Sequence, residues 1–164
     1  MKKLTVLLLT LMILMPIGAK YSPSFTISGG IDSLDFRYQS MRTRVDISLL
    51  SYRIDIVTIS LPLTISHVSE STSSKSLLSP EHYKNGVGLE VLLSNERIGG
   101  SLAIYYGYEH FTDENAMMRY IEVELSPEVI LEKHIAIVLP LSYTYTPEGN
   151  EYSLSLGVRI GGEL

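Results

Sequence analysis

Residues 57–66 read Val57-Thr58-Ile59-Ser60-Leu61-Pro62-Leu63-Thr64-Ile65-Ser66. Every odd position is aliphatic, and every even position is a hydroxyl residue or proline. A period of two belongs to a strand with one apolar face, because successive side chains of a pleated backbone point to opposite sides. The same alternation recurs along the chain. It predicts strands over 24–32 (Phe25, Ile27, Ile31), 42–50 (Val45, Ile47, Leu49), 86–94 (Val87, Leu89, Val91, Leu93) and 97–109 (Ile98, Leu102, Ile104, Tyr106, Tyr108). Three more follow over 117–126 (Met117, Ile121, Val123, Leu125), 135–145 (Ile135, Ile137, Leu139, Leu141, Tyr143, Tyr145) and 152–160 (Tyr152, Leu154, Leu156, Val158, Ile160). Eight such segments, each close to the ~9–11 residues that a tilted strand needs to cross a bilayer, predict an all-β chain.

The connections carry turn chemistry. Residues 94–96 make a tight link, and Pro147-Glu148-Gly149-Asn150 opens on proline and closes on Gly-Asn. The longest interruption, 67–83, is rich in serine and is expected to be an exposed loop. A local helical turn is expected only within 127–133. Residues 57–66 also resemble 135–144, with Ile, Leu, Pro and Leu at matching places, which makes them strands three and seven. Pro62 and Pro140 donate no ladder hydrogen bond, so each is expected at a bulge or a strand start.

The chain has 164 residues, 45% of them hydrophobic, no cysteine, no tryptophan and a formal net charge of −5. A disulfide framework and a thiolate metal cluster are excluded. Residues 1–19 have the charged, apolar and small-residue parts of a signal peptide: Met1-Lys2-Lys3, then Leu4 to Ile17, then Gly18-Ala19. An uncleaved anchor is the other reading, but a spanning helix needs ~20 apolar residues. Cleavage after Ala19 leaves 20–164 as the mature chain with a net charge of −7, which argues against nucleic acid as a partner. No cysteine follows the leader to carry a lipid anchor.

Alternation alone does not say which face is inside. The composition of the two faces does. The apolar face departs from apolar or aromatic residues only at Gly29, Thr43, Gly100 and Arg119. The other face holds small residues such as Ser28, Gly30, Ser60, Gly88, Gly107, Ser142 and Gly157 and is expected to lack lysine, with Lys20, Lys75, Lys84 and Lys133 outside the strand cores. A soluble surface would be dominated by large charged side chains, whereas small residues suit the interior of an eight-stranded barrel, which side chains fill. Arg42, Arg44, Asp46, Glu90, Glu122, Glu124 and Arg159 also lie on this face and are expected to pair as a lumenal charge network, since an unpaired buried charge is costly. Tyr83, Tyr106, Tyr108, Tyr143, Tyr145 and Tyr152 fall at the outer strand ends, and Phe25 and Tyr52 at the inner ends, as two aromatic belts would.

In these features the mature chain resembles the small eight-stranded outer-membrane β-barrels of the OmpX-like and OmpA transmembrane-domain families. The resemblance implies an antiparallel up-and-down transmembrane barrel in the outer membrane of a diderm bacterium, with membrane lipid and the barrel assembly machinery as partners. It implies a monomer with a structural or surface-interaction role, and no cofactor. Those families usually end on an aromatic residue, and this chain departs from them by ending on Leu164. Two other readings compete. One is a soluble periplasmic lipocalin-like barrel that binds an apolar ligand. The other is a lipid A deacylase-like enzyme, for which His67-Val68-Ser69 with Glu70 or Glu81 supplies a base, a nucleophile and an acid. The local pattern of the deacylases is otherwise missing, so no catalytic residue is assigned. His67, His82 and His110 have no fixed metal-ligand spacing and read as solvated loop residues, so no metal is expected.

Overall fold

The computed structural model describes residues 20–34, 38–69, 81–112, 116–147 and 149–161. The leader, residues 70–80 and Leu164 lie outside them. Eight barrel strands follow one another: β1 Ser24–Leu34, β2 Tyr38–Ile54, β3 Val57–Val68, β4 His82–Ser94, β5 Ile98–Phe111, β6 Met117–Glu132, β7 in two pieces, Ile135–Val138 and Leu141–Thr146, and β8 Gly149–Gly161. Each pairs antiparallel with the next. The last pairs with the first, from Gly161↔Ser24 to Glu151↔Leu34, so the sheet closes. A two-residue strand, Lys20–Tyr21, lies against the end of β2.

The pleat sorts the side chains as the alternation predicts, with the apolar set outside. Ile65, Ile104, Leu125 and Leu156 are among the large hydrophobics left exposed, while Ser28, Ser60, Ser101, Ser126 and Ser155 are buried. Tight links occupy the end that holds the chain termini. Ile54 pairs with Val57 across the two-residue turn Asp55-Ile56, and Asp55 takes a left-handed φ of 56°, which aspartate tolerates better than bulkier residues. Asn95 Oδ1 accepts from the backbone N–H groups of Arg97 and Ile98, both at 2.9 Å.

Three expectations are corrected. Residues 127–133 form no helical turn: β6 runs on to Glu132, because Glu128 inward and Val129 and Leu131 outward continue the period of two. The interruption at 67–83 is shorter than it looked, since His67 and Val68 end β3 and His82 and Tyr83 begin β4. Lys84 is not outside the strand cores but points into the lumen at 1% exposure, in phase with Gly86, Gly88 and Glu90. The prolines mark irregularities. Pro62 faces inward opposite a bulge between Ile47 and Leu50, and Pro140 sits in the gap that divides β7, where its carbonyl accepts from Ser155 N at 2.9 Å.

The lumen is narrow enough that glycine is required where strands and rings meet. Gly86 and Gly107 are registered partners. A Cβ on Gly107 would stand 2.0 Å from the Asn85 carbonyl oxygen, whereas one on lipid-facing Gly29 meets nothing nearer than 3.8 Å. Gly107→Val is expected to lower the urea midpoint of the refolded barrel by the equivalent of about 1–3 kcal/mol, the usual cost of overpacking. Gly29→Val is expected to leave it within roughly 0.5 kcal/mol.

Candidate functional site

The lumen is a column of ionisable groups in three tiers along the barrel axis. Nearest the termini, Arg159 on β8 donates from Nη2 to Glu90 Oε1 at 2.6 Å, and its Nη1 lies 3.4 Å from Glu128 Oε2. Ser60 Oγ donates to the second Glu90 oxygen at 2.9 Å. In the middle tier, Arg44 donates from Nε to both Asp46 oxygens at 2.8 and 2.9 Å and from Nη1 to Glu124 Oε2 at 2.6 Å. It also pairs with Glu122 and lies over the Tyr105 ring, 4.3 Å from its centroid. Arg42 donates to Glu122 Oε2 at 2.8 Å and to Ser142 and Ser153 hydroxyls at 3.2 and 3.1 Å. Thr144 Oγ1 completes the Glu122 cradle at 3.0 Å.

The third tier lies at the end remote from the termini. There Lys84 pairs with Glu151, and its Nζ lies 3.8 Å from Glu109 Oε1 and 3.9 Å from Asp32 Oδ2. His82 Nε2 lies 2.8 Å from Glu109 Oε1. The structure thus brings Arg42, Arg44, Asp46, Glu90, Glu122, Glu124 and Arg159 into one interior, and joins to them Asp32, His82, Lys84, Glu109, Glu128 and Glu151, which the sequence reading missed. The signal was present. Each of the six continues the inward phase of its strand, beyond the ends assigned to β4, β6 and β8 and within those assigned to β1 and β5. Among the described residues, eight buried carboxylates face four buried Arg and Lys cations, so the interior is acidic even with every cation paired.

The outward aromatics gather at the two ends. Tyr83, Tyr106, Tyr108, Tyr143 and Tyr145 are exposed around the remote end, with Tyr152 half-buried beside Tyr143, 5.2 Å between centroids. Phe25 and Tyr52 lie half-buried at the termini end, where the Tyr21 ring packs against Tyr52 at a steep tilt, 5.9 Å between centroids. The three histidines do not gather. His82 is not solvated but buried at 2% exposure inside the barrel. His67 faces out, stacked on Tyr83 at 4.8 Å, and its Nε2 donates to Glu81 Oε1 at 2.5 Å. Ser69 Oγ accepts from Met41 N at 3.2 Å.

A closed sheet of eight antiparallel strands, apolar outside and charged within, is a small membrane barrel. Its fold is that of the small eight-stranded outer-membrane proteins. The N-terminal β-barrel domain of Pseudomonas aeruginosa OprF aligns with a TM-score of 0.62 at 11% identity, covering 87% of this chain and 98% of that one. Neisserial surface protein A aligns at 0.54 and 12% identity over 88% and 99%. The outer-membrane enzyme PagL aligns at 0.55 and 10% identity over 82% and 98%. No family model and no curated protein sequence matches the chain.

Glu122 is the hub of the column, shared by two arginines. Glu122→Gln leaves Arg42 and Arg44 short of one buried negative charge, so the barrel in detergent is expected to lose about 3 kcal/mol. Thr144→Val, which removes one neutral donor, is expected to lose about 1 kcal/mol. Urea unfolding followed by tyrosine fluorescence and gel migration measures both.

Proposed function

We propose that the protein is an integral outer-membrane barrel, exported by its leader, whose role is structural or one of surface interaction through the connections at the remote end. The observation that carries this reading is the inversion of the faces. An exterior of Ile, Leu, Val and Tyr wraps an interior of eight carboxylates and four cations, which is stable in hydrocarbon and would expose a large apolar surface in water. Among the described residues, the same inversion lines the interior with polar and charged side chains, whereas a lipocalin-like carrier needs an apolar cavity. The filled lumen argues against a diffusion channel. With Lys20 and Gly161 on the periplasmic side, the ends of β3 and β4 at Val68 and His82 lie toward the cell exterior, and membrane lipid and the assembly machinery are the partners of a monomer.

PagL shows that the fold supports an enzyme. In this chain the His67 imidazole is held by Glu81 and Tyr83, and the Ser69 hydroxyl by Met41 N, which supports a structural role for that strand end. Lipid A mass spectra from cells with and without the gene are expected to be identical. Loss of one acyl chain would overturn the non-enzymatic reading.

Recovery in the carbonate-washed membrane pellet, with migration on a gel that changes on heating, is expected. Recovery in the osmotic-shock supernatant would overturn the membrane reading. Leu125→Arg, at the middle of β6 on the outer face, is expected to cost roughly 2–4 kcal/mol in lipid and to reduce the heat-modifiable form.

A further inference from the structure

The tier remote from the termini holds a donor set that its one lysine does not balance. His82 opens β4, Glu109 comes from the end of β5, and Glu151 reaches across the lumen from β8. One ligand atom from each lies within 4.8 Å of the others. The three residues are 2%, 1% and 8% exposed. Lys84 is committed to Glu151 and stands near both Glu109 and Asp32. Arg42 reaches Asp32 only at 4.0 Å while it is bonded to Glu122. Three carboxylates therefore stand around one lysine.

Asp32 supplies an independent observation. It is 4% exposed, and neither of its carboxylate oxygens receives a hydrogen bond from a described residue. A buried carboxylate without a donor is costly, and this one stands 3.9 Å from the ammonium group that now serves Glu151. It is a vacant acceptor for Lys84, ready if a stronger cation takes Glu151.

We propose that His82, Glu109 and Glu151 bind one divalent transition-metal cation of the zinc type at the remote mouth of the lumen, with Lys84 passing to Asp32 as the ion enters. One imidazole with two carboxylates suits zinc and its first-row neighbours. Calcium and magnesium prefer all-oxygen shells. Donors about 2.1 Å from a shared zinc ion stand roughly 3.4 Å apart at the tetrahedral angle, so no pair has to close by more than about 1.4 Å, and His82 Nε2 and Glu109 Oε1, 2.8 Å apart, have to open slightly. Three protein ligands leave a fourth position for water or an external donor. The site is internal to the barrel and does not depend on which membrane holds it.

The test uses the untagged mature barrel, refolded in detergent, stripped with chelator and titrated with zinc chloride in a calorimeter. One ion per barrel is expected. His82→Gln and Glu109→Gln are each expected to weaken binding at least ten-fold while keeping heat-modifiable migration, and Lys84→Met to tighten it several-fold by removing the competing cation. Binding that is absent, or equal in His82→Gln, Glu109→Gln and the parent, would overturn the proposal and place any ion on the outward histidines His67, His110 and His134. Cobalt(II) added to the unsubstituted barrel decides the case if the variants do not fold. Intense visible bands of a four- or five-coordinate ion, abolished by zinc, support the site, and the pale spectrum of six-coordinate cobalt overturns it.

Discussion

The pairing of β8 with β1 is the contact on which the rest of the molecule depends. A strand in hydrocarbon has to satisfy every backbone N–H and C=O with another strand, and an open edge there is unaffordable. Eight strands close only around a narrow interior. That geometry then dictates side-chain size: glycine at Gly86, where the Tyr120 hydroxyl crowds the wall, and at Gly107, where the Asn85 backbone does, and serine or threonine along much of the remainder. Charged residues placed in such a space meet one another whether or not they are adjacent in sequence. Arg42 and Glu122, eighty positions apart, bond across it.

The interior is a polar column built without a polar core's usual freedom. Arg44 is held by three carboxylates and a ring face, so its rotamer is fixed by partners on β2, β5 and β6 at once. Interactions of this kind are worth little on a surface. Inside a barrel they tie opposite walls together, and removing one partner strands the others. The column is also graded. The middle tier bonds both its arginines to carboxylates at hydrogen-bond distance, while the remote tier relies on Lys84 among Glu109, Glu151 and Asp32.

Much of this was legible in the sequence because period two is an unambiguous signal over ten residues. The eight strands, their order and the facing of the apolar set follow from segments such as 57–66. What escaped lies at strand ends and at interruptions. Lys84 and His82 looked like loop residues because the alternation was traced from Gly86, and two glycines give no apolar contrast by which to extend it. Glu109 and Asp32 were on assigned strands, but single acidic residues near a strand end do not say whether they turn inward together. Residues 127–133 opened on proline and glutamate, a helix-start pattern. The ladder to β5 and β7 overrode that local preference, with Pro127 spared because its own carbonyl, not its missing N–H, makes the bond to Leu139. Partnership across the lumen depends on distance through the barrel, which no local pattern encodes.

The bulge in β2 works as a parity switch. Up to Ser48 the even-numbered residues of that strand face the lumen, and from Ser51 the odd-numbered ones do, with Leu49 and Leu50 both turned to the outside. Downstream of the bulge, Leu50 pairs with Leu61 and Ser51 with Ser60, so the hairpin closes on a two-residue turn with apolar against apolar. Every side chain between the bulge and Asp55 owes its facing to that one extra residue. The strand therefore carries a frameshift within itself, and the pair Leu49-Leu50 is a place where β2 can gain or lose a residue without inverting its walls.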